Sequence, residues 1–274
     1  MIRVGISGWR YAPWRGVFYP PGLPQRLELA HAAQQLTSVE VNGSFYSLQR
    51  PSSWRSWAAQ VPEDFVFAVK GPRFITHMKK LVDVEAPLGT FLASGVLSLG
   101  DRLGPLLWQL PPQLGFHPGR LSAFFDLLPR RTTDASAYAA AHHDPDKLKE
   151  PADTASPVDR PLRHVLEVRH PSFRTPEFCE LLRAHDIGMV VADSAGTWPM
   201  FDEVTSDLVH VRLHGDTELY ASGYGEAALD HWAEKVRAWD SAGLDVGVYF
   251  DNDIKVHAPF DAIALQERLG ITPT

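Results

Sequence analysis

The chain is short of cysteine, of long apolar runs and of excess basic charge, and each shortage excludes something. A single cysteine, Cys179, among 274 residues rules out a disulfide framework and any cysteine-rich zinc module. No apolar run reaches the roughly 18 residues of a membrane-spanning helix, so no membrane partner is expected. The start, Met1 to Ser7, runs straight into strand-like sequence without a signal-peptide core, which predicts a cytoplasmic protein. Lys and Arg total 26 against 33 Asp and Glu, and the net charge of −7 disfavours a broad basic face for nucleic acid. No G-x-G-x-x-G follows the first strand candidate and no P-loop occurs, so neither common phosphate cradle is present.

What is there has the balance of a globular protein: 45% hydrophobic and 22% charged residues, in a chain long enough to bury about three quarters of its unfolded surface. Eight short β-rich runs recur: Val4–Trp9, Ser38–Asn42, Val66–Lys70, Leu106–Leu110, His164–Arg169, Gly188–Asp193, Leu208–His214 and Asp245–Asn252. Helical spacing lies between them, as in Leu121, Phe124, Phe125 and Leu128, in Phe178, Leu181 and Leu182, and in Leu229, Trp232, Val236 and Trp239. Eight strands alternating with helices predict an α/β protein over 1–274, a single (β/α)8 TIM-type barrel, with an open doubly wound sheet as the alternative. One segment breaks the rhythm after the fourth βα unit. Pro129–Pro161 is polar and rich in Ala, Asp and Pro, with a short helix expected around Ala135–His142; it is either a lid or a mobile surface insertion.

Parity along the strands carries the functional signal, because successive side chains point to opposite faces. One set is apolar throughout: Val4/Ile6, Val39/Val41, Phe67/Val69, Trp108/Leu110, Leu166/Val168, Val190/Ala192, Val209/Val211 and Val248/Phe250. The other set turns polar toward each carboxyl end. It contains Ser7, Glu40, Asn42, Lys70, Gln109, Glu167, Arg169, Asp193, Arg212, His214, Tyr249 and Asp251. In a closed barrel this set faces inward, at the end where barrel enzymes keep their active sites.

Glu40, Glu167 and Asp193 are then candidate general acids or bases, and His214 a proton carrier near neutral pH. Lys70, Arg169 and Arg212 suit a phosphate or carboxylate, the arginines as two-pronged clamps. A structural ion network is the competing reading, since desolvated charges must be paired. Glu40, Glu167, Asp193, His214 and Asp251 could also ligate a divalent ion, but three cations oppose it and no compact ligand motif occurs. No metal or cofactor is assigned. Trp9, Tyr11, Trp14, Phe45, Tyr46 and Phe74 follow the first three strands; of these Tyr46 is the favoured ring for stacking on a ligand. His77 alone reads as a solvated or capping residue, Trp54 and Trp57 as core, and Cys179 as inert packing.

Several long runs resemble the domain of unknown function 72 family of YecE-like proteins: GISGWRYAPWRGVFYPPGLP, VEVNGSFYSL, FAVKGPRFITH, LWQLPP, LEVRHPSF, VRLHG and YFDND. The resemblance covers nearly the whole chain and implies a TIM-type barrel without supplying an activity. It supports Trp9 and Tyr46 as site residues and adds Asn252. It also implies asparagine where this chain has Asp251, so that carboxylate is a local addition. The expectation is an enzyme, a hydrolase or lyase, using carboxylate acid–base chemistry on a small anionic or sugar-phosphate-like substrate. The alternatives are a metal-dependent phosphoesterase acting on nucleic acid and a non-catalytic nucleotide or nucleic-acid binding protein.

Overall fold

All eight expected strands form, and their order closes β1 to β8 into a barrel. The computed structural model describes residues 1–273. The strands are β1 (Ile2–Ser7), β2 (Ser38–Val41), β3 (Val66–Lys70), β4 (Leu103–Gln109), β5 (His164–Glu167), β6 (Ile187–Asp193), β7 (Leu208–Leu213) and β8 (Asp245–Phe250). The helices are α1 (Glu28–Ala33), α2 (Gly43–Tyr46), α3 (Pro51–Ala58), α4 (Glu85–Leu92), α5 (Pro118–Leu127), α6 (Thr132–His142), α7 (Pro176–Ala184), α8 (Glu226–Ser241) and α9 (His257–Leu269). Strand β1 pairs in parallel with β2 and β8, β4 with β3 and β5, and β7 with β6 and β8. Among the described residues no helix is long and apolar enough to cross a membrane.

The chain forms two compact units, 1–40 with 60–66 and 188–274, and 41–59 with 67–187. Within the first, the inward set packs as a layer of large and small groups. Tyr249 stacks on His210 at 4.7 Å between centroids and shares a 2.8 Å hydrogen bond with the Ser38 hydroxyl. Glycine makes the room: a Cβ at Gly247 would stand 3.1 Å from the Tyr249 ring, and one at Gly5 would lie 2.0 Å from the Ser38 carbonyl oxygen. Tyr249 is therefore a core residue, sealed from any ligand, rather than a binding group at the strand ends.

Within the second unit, the outward face of β4 follows the parity rule. Trp108 meets Phe91 of α4 and Phe124 of α5 edge to face, 6.1 and 5.2 Å away. Trp54 and Trp57 are core as expected, 5.0 Å apart and T-shaped. Helix α6 starts three residues before the expected Ala135, because Thr132, Thr133 and Asp134 form its first turn despite their loop-like composition. The rest of Pro129–Pro161 is fastened down. The Thr132 N–H donates to Arg160 O, Leu162 N–H to Arg130 O, and Asp153 N–H to Ala93 O, while the Arg55 guanidinium reaches Asp153 at 2.5 Å.

His164 on β5 is the acid-sensitive point of this core. Its Nε2 lies 2.8 Å from Pro129 O, which can only accept, so Nε2 carries the proton. Its Nδ1 then accepts from the Trp108 indole N–H at 3.1 Å. Burial, opposed in part by the Pro129 hydrogen bond, lowers its pKa to about 3. The unfolded chain takes up this proton near pH 6.5 and the folded one does not. Stability is therefore full above that pH and drains away as pH falls toward about 3. In His164→Gln the amide can make both bonds without titrating. Chemical denaturation between pH 6 and 4.5 is expected to give a shallower loss for this variant, by up to about 1.4 kcal/mol per pH unit. An unchanged slope would show that His164 is not the titrating group.

Candidate functional site

In the first unit the strand-end charges close on one another. The Arg212 side chain on β7 is fully buried and donates through Nε and Nη2 to both carboxylate oxygens of Glu40 on β2, at 3.0 and 2.8 Å. Nη2 also reaches Asp251 Oδ2 at 2.9 Å, and the Ser7 hydroxyl on β1 donates to Glu40 Oε1 at 3.0 Å. His210 Nε2 lies 3.3 Å from Glu40 Oε2. The side chain of His214 stands 3.3 Å by Nε2 from Arg212 Nη1 and 3.0 Å by Nδ1 from Asp251 Oδ2. A guanidinium has only donors, so His214 Nε2 accepts and the ring proton sits on Nδ1, beside Asp251. The carboxylate that the family resemblance marked as a local addition is thus a second counter-ion to Arg212.

Other predicted residues in this unit hold loops. Asn252 donates through Nδ2 to Ser222 O at 2.9 Å and to Asp261 Oδ2 at 2.8 Å, tying the segment after β8 to α9. Asp193 accepts from the Tyr224 hydroxyl at 3.0 Å, and burial raises its pKa. Trp9 is buried, with its carbonyl taken by the Tyr19 hydroxyl at 2.6 Å. Asp253 was not foreseen. Burial first, and the Asp251 charge second, push its pKa up to about 6.

The second unit gathers a different set. Arg169 Nε donates to Glu167 Oε1 at 2.7 Å, and both side chains are nearly buried. The Lys70 ammonium lies 4.4 Å from the centre of the Phe45 ring, and that ring meets His77 edge on at 5.0 Å. His77 sits on a single turn of π-helix, Phe74–Met78, a rare backbone form that recurs at functional sites. The backbone stays unusual just beyond, where Lys80, Leu81 and Asp83 all have positive φ (50°, 69° and 51°). His77 Nδ1 is 2.9 Å from the Thr76 hydroxyl, and its ring is half-buried. Burial, then the charges of Lys70, Arg169 and Arg73, lower its pKa to about 4, with Glu167 opposing. Sequence reasoning passed over His77 because nothing local marks it; the FAVKGPRFITH run held the signal, placing it seven residues after Lys70. Gln109 on β4 stands in register beside Glu167 on β5. Asn42 precedes α2, and Tyr46 at its end is 71% exposed.

The five candidate metal ligands fit a metal poorly. Glu40 and Asp251 are held by Arg212, Glu167 by Arg169 and Asp193 by Tyr224, while His214 stands between Arg212 and Asp251. Among the described residues no three His, Cys, Asp or Glu side chains form a group able to hold an ion.

A closed parallel barrel with polar groups at the carboxyl ends of its strands defines a TIM-type (β/α)8 protein. The chain belongs to the DUF72 family, described as "Protein of unknown function DUF72", whose pattern matches residues 3–274. It is 30% identical to UPF0759 protein YecE of Escherichia coli K12 over 132 residues, 47% of this chain and 45% of that protein. It is 27% identical to UPF0759 protein YunF of Bacillus subtilis over 117 residues, 41% of this chain and 40% of that one. The chain thus matches less than half the length of either curated relative. A DUF72 family protein of Thermotoga maritima superposes with a TM-score of 0.77 at 24% identity, covering 99% of this chain and all of the other. One from Enterococcus faecalis gives 0.74 at 19% identity over 99% and 96% of the two chains. At such identities the likeness speaks for the fold alone.

The closed network around Arg212 should act as a structural unit. Glu40→Gln strips a buried guanidinium of its main counter-ion and is expected to cost about 3–5 kcal/mol in urea unfolding. Asp202→Asn, which breaks an exposed pair with Lys235, should cost less than about 1 kcal/mol. Equal small losses for both would mean that the buried pair does not hold this unit together.

Proposed function

We propose that the chain is an enzyme, a hydrolase or lyase, that acts on a small anionic substrate at the strand ends of the second unit. The observation that carries this reading is a charge imbalance: Lys70 and Arg169 share the neighbourhood of His77 with one carboxylate, Glu167, in a protein whose net charge is −7. Two cations on one carboxylate leave a positive field, which adds to the larger effect of burial in lowering the proton affinity of His77. An anion is the natural complement of that field.

The chemistry divides among the side chains. Lys70 acts as a point charge on the anion, and Arg169, positioned by its Nε bond to Glu167, adds the second positive charge. Glu167, the carboxylate of this cluster, takes the role of base. His77 fits the acid. A bound anion opposes Lys70 and Arg169, raises the proton affinity of the imidazole and readies it to protonate a leaving oxygen. The metal-dependent reading is not retained, because its proposed ligands are engaged with arginines and a tyrosine.

Calorimetric titration with inorganic phosphate tests the anion site. Wild-type protein is expected to bind it, with affinity falling steeply as salt rises, and Lys70→Met should weaken binding by about tenfold or more. No binding, or equal binding by the variant, would overturn the reading. Glu167→Gln should keep the phosphate affinity within a few-fold while abolishing turnover of a phosphate-bearing substrate.

A further inference from the structure

Two side-chain amides in the second unit have no hydrogen-bond partner in the protein, and their positions bear on what the anion carries with it. Gln109 is only 5% exposed, yet no group of the described chain bonds to its amide. Its neighbour in register is Glu167, so amide and carboxylate stand side by side on adjacent strands. On the other side of β4 runs β3, which ends in Lys70. Asn42 likewise bonds nothing with its side chain, and its Oδ1 is buried. The turn that follows it is anchored to Lys70, through the 2.6 Å bond from the Ser44 hydroxyl to the Lys70 carbonyl.

Folding does not require these amides. A methionine or leucine would fill the Gln109 position without leaving donor and acceptor unmet. Nor does an anion satisfy them. A carboxylate or a phosphate-monoester dianion only accepts hydrogen bonds, whereas an amide carbonyl oxygen needs a donor. Exchanging the amide nitrogen and oxygen of either residue changes nothing, because both atoms of both amides lack protein partners. A hydroxyl donates and accepts at once, as the waters it displaces do.

We infer that the substrate bears hydroxyl groups beside its anionic group, a polyhydroxylated phosphate or carboxylate, and that the amides of Gln109 and Asn42 bind those hydroxyls. This rests on the anion reading above. Lys70 and Arg169 hold the charge, and the amides decide which charged molecules fit.

The test compares two probes of like charge: ribose 5-phosphate, which carries hydroxyls, and n-butyl phosphate, which does not. Wild-type protein is expected to bind ribose 5-phosphate about tenfold or more tightly than n-butyl phosphate, because a polar site rejects an analogue lacking its partner. Gln109→Met should erase most of that preference, and Asn42→Leu, on a turn rather than in a strand, gives a second variant should the first fail to fold. Equal wild-type affinities for the two probes would overturn the inference and leave the anion site standing. Loss of affinity for both probes in equal measure on Gln109→Met would overturn it as well. If neither probe binds, the anion site falls and the inference with it.

Discussion

The grip of Arg212 on Glu40 is the constraint from which the rest of the site follows. A guanidinium buried to zero exposure must be neutralised where it stands, and the Glu40 and Asp251 carboxylates do so, with Ser7 and His210 against Glu40 and His214 against Arg212. Such a network sets two carboxylates against one guanidinium and offers no free cation to an anionic ligand. It fixes β1, β2, β7 and β8 to one another from inside, and it explains why so many ionisable residues share one strand face. The proposed chemistry therefore falls to the smaller set in the second unit, where Lys70 and Arg169 lie near His77 with Glu167.

Strand parity made much of this legible in advance. Each strand alternates between a face that packs on helices, as Trp108 does against Phe91 and Phe124, and a face that turns polar at its carboxyl end. Both the eight strands and the inward set follow from that rule. The rule could not separate the members of the set. Arg212 and Arg169 carry the same side chain at comparable strand ends. One meets two carboxylates and the other bonds Glu167 through Nε, and only three-dimensional neighbours distinguish them. Tyr249 followed the same parity but stacks on His210 and bonds Ser38, in space that Gly247 leaves open.

The residues that were missed share a cause. His77 and Asp253 stand outside the strands, on a π-helical turn and on the segment after β8, so no periodicity marks them. Their character comes from burial and from charged and polar neighbours that no periodicity links to them, Lys70 and Arg169 for the histidine and Asp251 with Tyr11 for the aspartate. The Pro129–Pro161 segment was obscure for the opposite reason. Its composition is that of a linker, while its fastening depends on backbone hydrogen bonds that composition does not record.

The central claim is that the second unit holds a positive field that awaits an anion, and His77 is the built-in reporter of that field. Its titration, followed by NMR of the ring protons with and without inorganic phosphate, tests the claim most directly. The account predicts a pKa of about 4 in the free protein, moving upward when phosphate binds. A free-protein value at the ordinary histidine level, unmoved by phosphate, would contradict it.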